Sequence, residues 1–415
     1  MPPDRTAGPL SLPAYRVYWL SRLAATLAAQ IQVVAVGWQM YELTGSALDL
    51  GLVGLVQFLP SVVLMFAVGP IVDRHDRRLI LAGCRVLQGV ATLALAAATA
   101  AGFASREALF AFVLVLGATR AFEMPTAQSL LPTLVPGSML SRAVALASSA
   151  HQVATIGGPA LGGLLYVAGP QATYAAAGLA YVVAGLMALR VPERRDADAP
   201  RPRVDRAYLF AGIAFIRSRP ALLGAISLDM FAVLLGGATA LLPIYAKDIL
   251  HTGPWGLGLL RSAPAVGALA VALWLSRRPL DRSIGPLLFA AVAVFGAATV
   301  VFGLSTSMPL SFAALVVLGA ADMVSVVIRM SIVQLETPDE MRGRVGAVNS
   351  VFIGASNQIG EFESGVVAAW LGPVPAVVLG GLGTLVVVAA WIGLFPALAR
   401  RDRLQPASEG RAAVR

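Results

Sequence analysis

"VPGSMLSRAVALAS" (residues 135–148) and "TPDEMRGRVGAVNS" (residues 337–350) are two versions of one segment, 202 residues apart. Pro136 falls on Pro338, Met139 on Met341, Arg142 on Arg344, Ala145 on Ala347 and Ser148 on Ser350. The same gapless register carries Gly117 onto Gly319, Ser129 onto Ser331, Gly158 onto Gly360 and Gly163 onto Gly365. Matches held in one register this far out are the mark of an internal repeat whose unit is about half the chain.

The repeated unit is apolar. Of 415 residues, 58% are hydrophobic and only 13% charged, with a mean hydropathy of +0.78. A soluble domain carries about 25% charged residues. A spanning helix needs about 20 mostly apolar residues. Twelve runs qualify: 17–42, 46–69, 79–101, 107–131, 142–168, 172–190, 221–246, 255–276, 285–304, 309–335, 344–370 and 374–396. The fold class expected is an all-α membrane protein, twelve transmembrane helices in two pseudosymmetric six-helix halves. The halves are 1–190 and 221–399. Between them, 191–220 contains the charged, proline-rich stretch "PERRDADAPRPRVDR" and reads as a linker. "AYLFAGIAFI" follows it and suits an interfacial helix. Residues 400–415 read as a tail.

Arginines fall on one side of this plan. The side holding the N-terminus carries Arg5, Arg16, Arg74, Arg77, Arg78, Arg142, Arg342 and Arg344, with further clusters at 190–219, 277–282 and beyond 400. The other side holds Arg106 and Lys247. The positive-inside rule puts both termini in the cytoplasm. The net charge of +9 is scattered between spans and forms no basic stripe with interleaved aromatics, so no nucleic-acid partner is expected. The one cysteine, Cys84, lies in an apolar run, and His75, His151 and His251 have no metal-ligand spacing. The first apolar run is too long for a signal-peptide core.

"GPIVDRHDRRLI" (69–80) packs charges into the hairpin between spans 2 and 3. Arg77 and Arg78 suit a cytoplasmic hairpin near anionic lipid; Asp73, at the end of span 2, needs another reason. The stretch resembles the G-x-L-a-D-r-x-G-r-k signature of the major facilitator superfamily, and the resemblance covers nearly the whole chain. Gly69, Asp73, Arg74, Arg77 and Arg78 fit; Ile71 stands for leucine and Asp76 for the second glycine. The resemblance implies a latch: the acid meets the N-terminus of a helix in the other half, where unpaired amides favour a carboxylate. Arg142 and Arg344, the repeated arginines of the companion hairpins, join that set. In span 5, Gly158, Pro159, Gly162 and Gly163 resemble the G-P-x-x-G-G motif of proton-coupled exporters, with Ala154 where a further glycine is usual. "RAFEMPTAQSLLPTLV" (120–135) and "QLETPDEMRGRVGAVNSVFIGASNQIGE" (334–361) are similar to the transmembrane secretion effector subgroup, which includes siderophore exporters.

Charges inside spans are costly and need a partner or a wet cavity. Span 4 holds Arg120 and Glu123 on one face, and span 10 holds Asp322 and Arg329 on one face. The shift of 202 carries Arg120 onto Asp322. These four are the coupling candidates, with Arg120 tuning an acid that carries the driving proton; a static ion-pair network is the alternative. Gln32, Gln39, Asp229, Asn349, Ser356, Asn357 and Glu361 are candidates for a substrate cavity. Arg22 and Arg85 read as side chains that snorkel to nearby helix ends.

Parallel repeats with both termini inside describe a secondary transporter. No G-x-x-x-x-G-K-[ST] stretch and no metal cluster occur, so neither an ATP-driven pump nor an enzyme is expected. The expectation is an exporter of a small molecule, siderophore or drug-like, working as a monomer in the bacterial inner membrane. No cofactor is expected; the drive is an ion gradient, H⁺ first. An importer or metabolite carrier of the same fold is the alternative, and a membrane-embedded sensor the one outside transport.

Overall fold

A computed structural model describes residues 8–192, 206–278, 280 and 282–404. Each of the twelve apolar runs forms a helix. They are α1 (Pro13–Thr44), α2 (Ala47–Arg74), α3 (Arg77–Ala100), α4 (Arg106–Leu130), α5 (Leu140–Val167), α6 (Pro170–Leu189), α8 (Pro220–Leu235), α10 (Pro254–Arg277), α11 (Ile284–Leu304), α12 (Met308–Glu336), α13 (Asp339–Leu371) and α14 (Pro373–Leu394). Three shorter helices are α7 (Arg206–Ser218), α9 (Leu242–Ile244) and α15 (Pro396–Ala399). Among the described residues ten helices are long and apolar enough to cross a membrane, α8 counted with the helical turns that carry it to Ile249. The two that fall short are α5 and α13, the helices that carry the repeated segment. Their polar residues lower the hydropathy, which fits helices that face polar ground on one side.

The chain divides into two compact units. The first is Met1–Gly45, Leu55–Val204 and His251–Ser262; the second is Ser46–Gly54, Asp205–Leu250 and Ala263–Arg415. Of the linker read from sequence at 191–220, residues 193–205 lie outside the described residues. The exchange of 46–54 and 251–262 was not legible: the first turns of α2 and of α10 pack with the helices of the opposite repeat.

In the first unit, α1 packs on α5 and α6, and α3 on α4 and α6. Small residues set the closest approaches: a Cβ on Gly89 of α3 would meet the Gly178 carbonyl of α6 at 2.9 Å. The Tyr15 hydroxyl donates to the Ala143 carbonyl at 2.6 Å and Tyr18 to that of Ala127 at 2.9 Å, tying α1 to α5 and α4. Gly162 lies on Ile31 of α1, and Gly163 on Trp255 and Gly258 of α10, with its Cβ position 3.0 Å and 3.1 Å from their Cα atoms. Gly158 abuts Gln30 of α1, and Pro159 abuts Gly258 through its carbonyl.

The second unit repeats this plan. α11 packs on α14, and a Cβ on Gly296 would meet the Gly381 carbonyl at 3.0 Å. Gly360 lies on Val233 and Leu234 of α8, and Gly365 on Gly51 of α2. Gly360 and Gly365 are the repeat partners of Gly158 and Gly163, so the repeat preserves the close contacts as well as the residues.

The signature hairpin turns sharply. α2 ends at Arg74, and Asp76 caps α3, accepting from the amides of Arg78 at 2.8 Å and Leu79 at 3.2 Å. Asp76 has φ −61°, so the glycine usual here is not needed. Its other oxygen pairs with Arg78 at 3.0 Å. At the equivalent start of α11 the cap comes from residues read as tail. Asp402 Oδ1 accepts from the Ser283 amide at 3.1 Å, and the Arg401 carbonyl from Gly285 at 2.8 Å. Arg401 also pairs with Glu336 of α12. Residues 401–404 are thus built into the second unit rather than trailing from it. The helix expected after the linker is α7, and it packs on α13, with the Gly212 Cβ position 2.7 Å from the Arg344 carbonyl.

Candidate functional site

Among the described residues a cluster of charge is buried in each unit. The first forms because α3 has a polar stripe. Arg85, Gln88 and Thr92 share one helix face, and each is at most 1% exposed. Arg85 Nε donates to Glu123 Oε1 of α4 at 2.9 Å, and Nη1 to Ser21 Oγ of α1 at 2.5 Å. Ser21 Oγ in turn donates a hydrogen bond to the Ala184 carbonyl of α6 at 2.5 Å. Gln88 Nε2 lies 3.2 Å from Glu123 Oε2 and 3.0 Å from Thr119 Oγ1. One arginine therefore joins α1, α3 and α4, and α6 through Ser21.

This network forms the wall of a cavity of about 360 Å³. Arg22, Gln30, Arg120, Gln128, His151 and Tyr181 face it with Arg85 and Glu123, over a floor that includes Ala25, Ala29, Val33 and Met124. Arg120 lies against the Tyr181 hydroxyl. Among the described residues the Arg22 side chain donates only to the Tyr18 hydroxyl, at 3.4 Å. The reading of Arg85 as a snorkelling side chain is corrected here. It lies two turns inside α3, and its charge is met by Glu123 rather than by the membrane surface. Arg22 likewise turns to the cavity. Glu123 and Arg120 are brought to one cavity, as their spacing implied, but the partner of Glu123 is Arg85.

In the second unit, Arg329 of α12 pairs with Asp229 of α8, both less than 10% exposed. Asp322, two turns from Arg329, lines a small pocket with Asp229, Phe295 and Ser325. Among the described residues Asp322 has no ion-pair partner. Asp322 and Arg329 fall on one face, and Asp229, expected from sequence at a substrate cavity, belongs with them.

The other candidates are dispersed. Gln32 donates to Thr92, and Gln39 accepts from Tyr174 at 2.7 Å and donates to Thr99 at 3.4 Å, so both are taken up by bonds between helices. Ser356 and Asn357 bond back to Ile353 within α13. Asn349 lines a separate cavity of about 450 Å³ with Met330, Thr337 and Arg342. Glu361 lies over Gly54 of α2. Among the latch residues, the side chain of Asp73 is outside the described residues. Arg77 reaches the Ser129 carbonyl at 3.3 Å, Arg344 the Met341 sulfur at 3.4 Å, and Gly69, Arg74 and Arg142 are exposed. Sequence reading missed Glu42, whose carboxylate accepts from Trp38 Nε1 at 2.6 Å and the Tyr166 hydroxyl at 2.9 Å. The i, i+4 spacing of Trp38 and Glu42 was the available signal.

A family model described as transmembrane secretion effector matches residues 5–411. The enterobactin exporter EntS of Citrobacter koseri is 25% identical over 401 residues, 96% of this chain and 95% of that one. The protein of that name from Escherichia coli O1:K1 / APEC is 25% identical over 378 residues, 90% of each. A bacterial homologue of the iron transporter ferroportin, in an inward-facing state, superposes with a TM-score of 0.71 at 17% identity, covering 94% of this chain and 99% of that one. A bacterial homologue of the lysosomal transporter Spinster, inward-facing and unoccupied, gives 0.68 at 15% identity, covering 93% and 96%. These structures share the fold.

Proposed function

The chain belongs to the transmembrane secretion effector family of the major facilitator superfamily, and we propose that this multi-pass transporter exports a small molecule from the cytoplasm in exchange for protons. The observation that carries the reading is Asp322. A carboxyl within a spanning helix, with no ion-pair partner among the described residues and lining one small pocket with Asp229 of the Asp229–Arg329 pair, is not locked in its charged form by a fixed counter-charge, as a carrier of a proton must not be. Protonation of either acid changes what Arg329 is attracted to. The pair is thus sensitive to the proton and to any anion or cation entering nearby.

Export operates by alternating access about the repeat. The Gly163–Gly258 and Gly365–Gly51 contacts are the seams that open and close, because backbone-to-backbone contact can separate without unpairing a charge. The chain lies in the bacterial inner membrane with both termini in the cytoplasm, acts as a monomer and uses no cofactor. The relatives named for enterobactin export support a siderophore as cargo, with drug-like compounds the next class.

Deletion of the gene in its host under iron starvation tests the cargo. Chelators are quantified by mass spectrometry in medium and cells. Loss from the medium with accumulation inside supports siderophore export. Unchanged secretion removes it, and raised sensitivity to toxic compounds would then indicate drug efflux. Lower cellular accumulation of the cargo after deletion would instead indicate an importer.

A further inference from the structure

The cavity of the first unit carries more positive charge than its walls neutralise. Three guanidinium groups line it, Arg22, Arg85 and Arg120, against one carboxylate, Glu123. That carboxylate is committed to Arg85 and Gln88. Arg22 and Arg120 have only tyrosine hydroxyls, those of Tyr18 and Tyr181, and no acidic partner among the described residues. Guanidinium groups on spanning helices without counter-charge are costly, and a cavity that keeps two of them is poorer empty than filled. A guanidinium offers a planar fork of donors that fits an oxyanion. His151, Gln30 and Gln128 add polar edges, while Ala25, Ala29, Val33 and Met124 supply an apolar floor. The volume of about 360 Å³ is that of a small-molecule pocket.

We propose that this cavity is a binding subsite for organic oxyanions with an apolar body, held by Arg22 and Arg120, and that anionic compounds are therefore the preferred cargo. This rests on the transport reading and names its substrate class. Arg85 is excluded from ligand binding: its role is to hold Glu123 so that the carboxylate does not compete for the other two arginines.

The test varies charge at fixed shape. Naphthoate, naphthamide and naphthylmethylammonium are titrated by isothermal calorimetry against the purified full-length protein in phosphatidylcholine nanodiscs. Naphthoate binds more tightly than the amide, and the cation does not bind. Arg22→Gln and Arg120→Gln each weaken naphthoate roughly 10- to 100-fold, the loss of one charge-assisted pair, with the amide unaffected. Arg120→Lys recovers part of the loss, and Arg16→Gln, at an exposed arginine outside the cavity, changes nothing. Equal binding of the three probes, or an unchanged naphthoate-to-amide ratio in folded Arg22→Gln and Arg120→Gln proteins, overturns the subsite. If phosphatidylglycerol in the nanodisc abolishes naphthoate binding to the wild type, the oxyanion held is a lipid headgroup and the cargo claim fails. Transport assays separate the two levels. Proton-driven movement of cationic cargo that ignores Arg22 and Arg120 overturns the subsite and keeps the transporter. Selective naphthoate binding without proton-driven movement of any probe supports the subsite and counts against proton exchange.

Discussion

Arg85→Gln is the sharpest probe of the first unit. Arg85 is 1% exposed and its ion pair with Glu123 is 2.9 Å long. The substitution removes the charge and the contact to Ser21, and leaves Glu123 with Gln88 alone. Breaking a buried pair from one side costs about 3–5 kcal/mol. Glu123 retains 19% side-chain exposure toward the cavity, so water recovers part of this and about 2–3 kcal/mol remains. For a unit of some 200 residues that corresponds to roughly 4–12 °C in apparent Tm. Adding Glu123→Gln removes the stranded charge, and the double variant should recover most of the loss, leaving a coupling energy of about 2 kcal/mol. Fluorescence-detected size exclusion after heating measures all four proteins of the cycle. If Arg85→Gln falls no further than Arg142→Gln, and the double variant equals the sum of its parts, Arg85 reaches polar surroundings by itself and the network described above is wrong.

Three other perturbations separate contacts that are otherwise hard to rank. Asp76→Ala removes the cap of α3 and should cost about 1 kcal/mol, whereas Asp76→Gly should cost only a few tenths; hydrogen exchange of the Arg78 and Leu79 amides reports it, and equal protection in both variants would contradict the cap. Gly163→Val should cut transport at least about tenfold, since its Cβ position already lies 3.1 Å from the Gly258 Cα, while Gly157→Val, with nothing within 4 Å, should transport as the wild type does; similar rates would remove the seam. Arg401→Ala strands Glu336 and loosens the start of α11, so apparent Tm should fall by several degrees, about 1–2 kcal/mol of lost pairing; no change would return 401–404 to the status of a tail.

The twelve spans and the repeat were legible because each depends on local composition or on identity at a fixed offset. Pairing is a tertiary property, and there the sequence misled. Arg85 sits eight residues from Arg77, close enough to the hairpin to suggest snorkelling. The contrary signal was the buried polar series Arg85, Gln88 and Thr92, which continues to Thr99 on the same face. Gln32 and Gln39 have the spacing of a cavity face, yet the same spacing serves two bonds to that stripe. Asp229 on α8 gave no local hint of Arg329, a hundred residues away. The capping role of Asp402 was equally hidden. Asp76 caps α3 from within its own hairpin, whereas the start of α11 is held from the far end of the chain.

Proton exchange through Asp322 is the central claim, and everted membrane vesicles test it directly. Respiration acidifies their interior, acridine orange reports the gradient, and the chelator recovered from iron-starved medium is then added. Wild-type vesicles should dequench on addition as protons leave against entering cargo, and Asp322→Asn vesicles should not, while still exchanging labelled for unlabelled cargo at equilibrium. Dequenching in Asp322→Asn vesicles equal to the wild type would contradict the account.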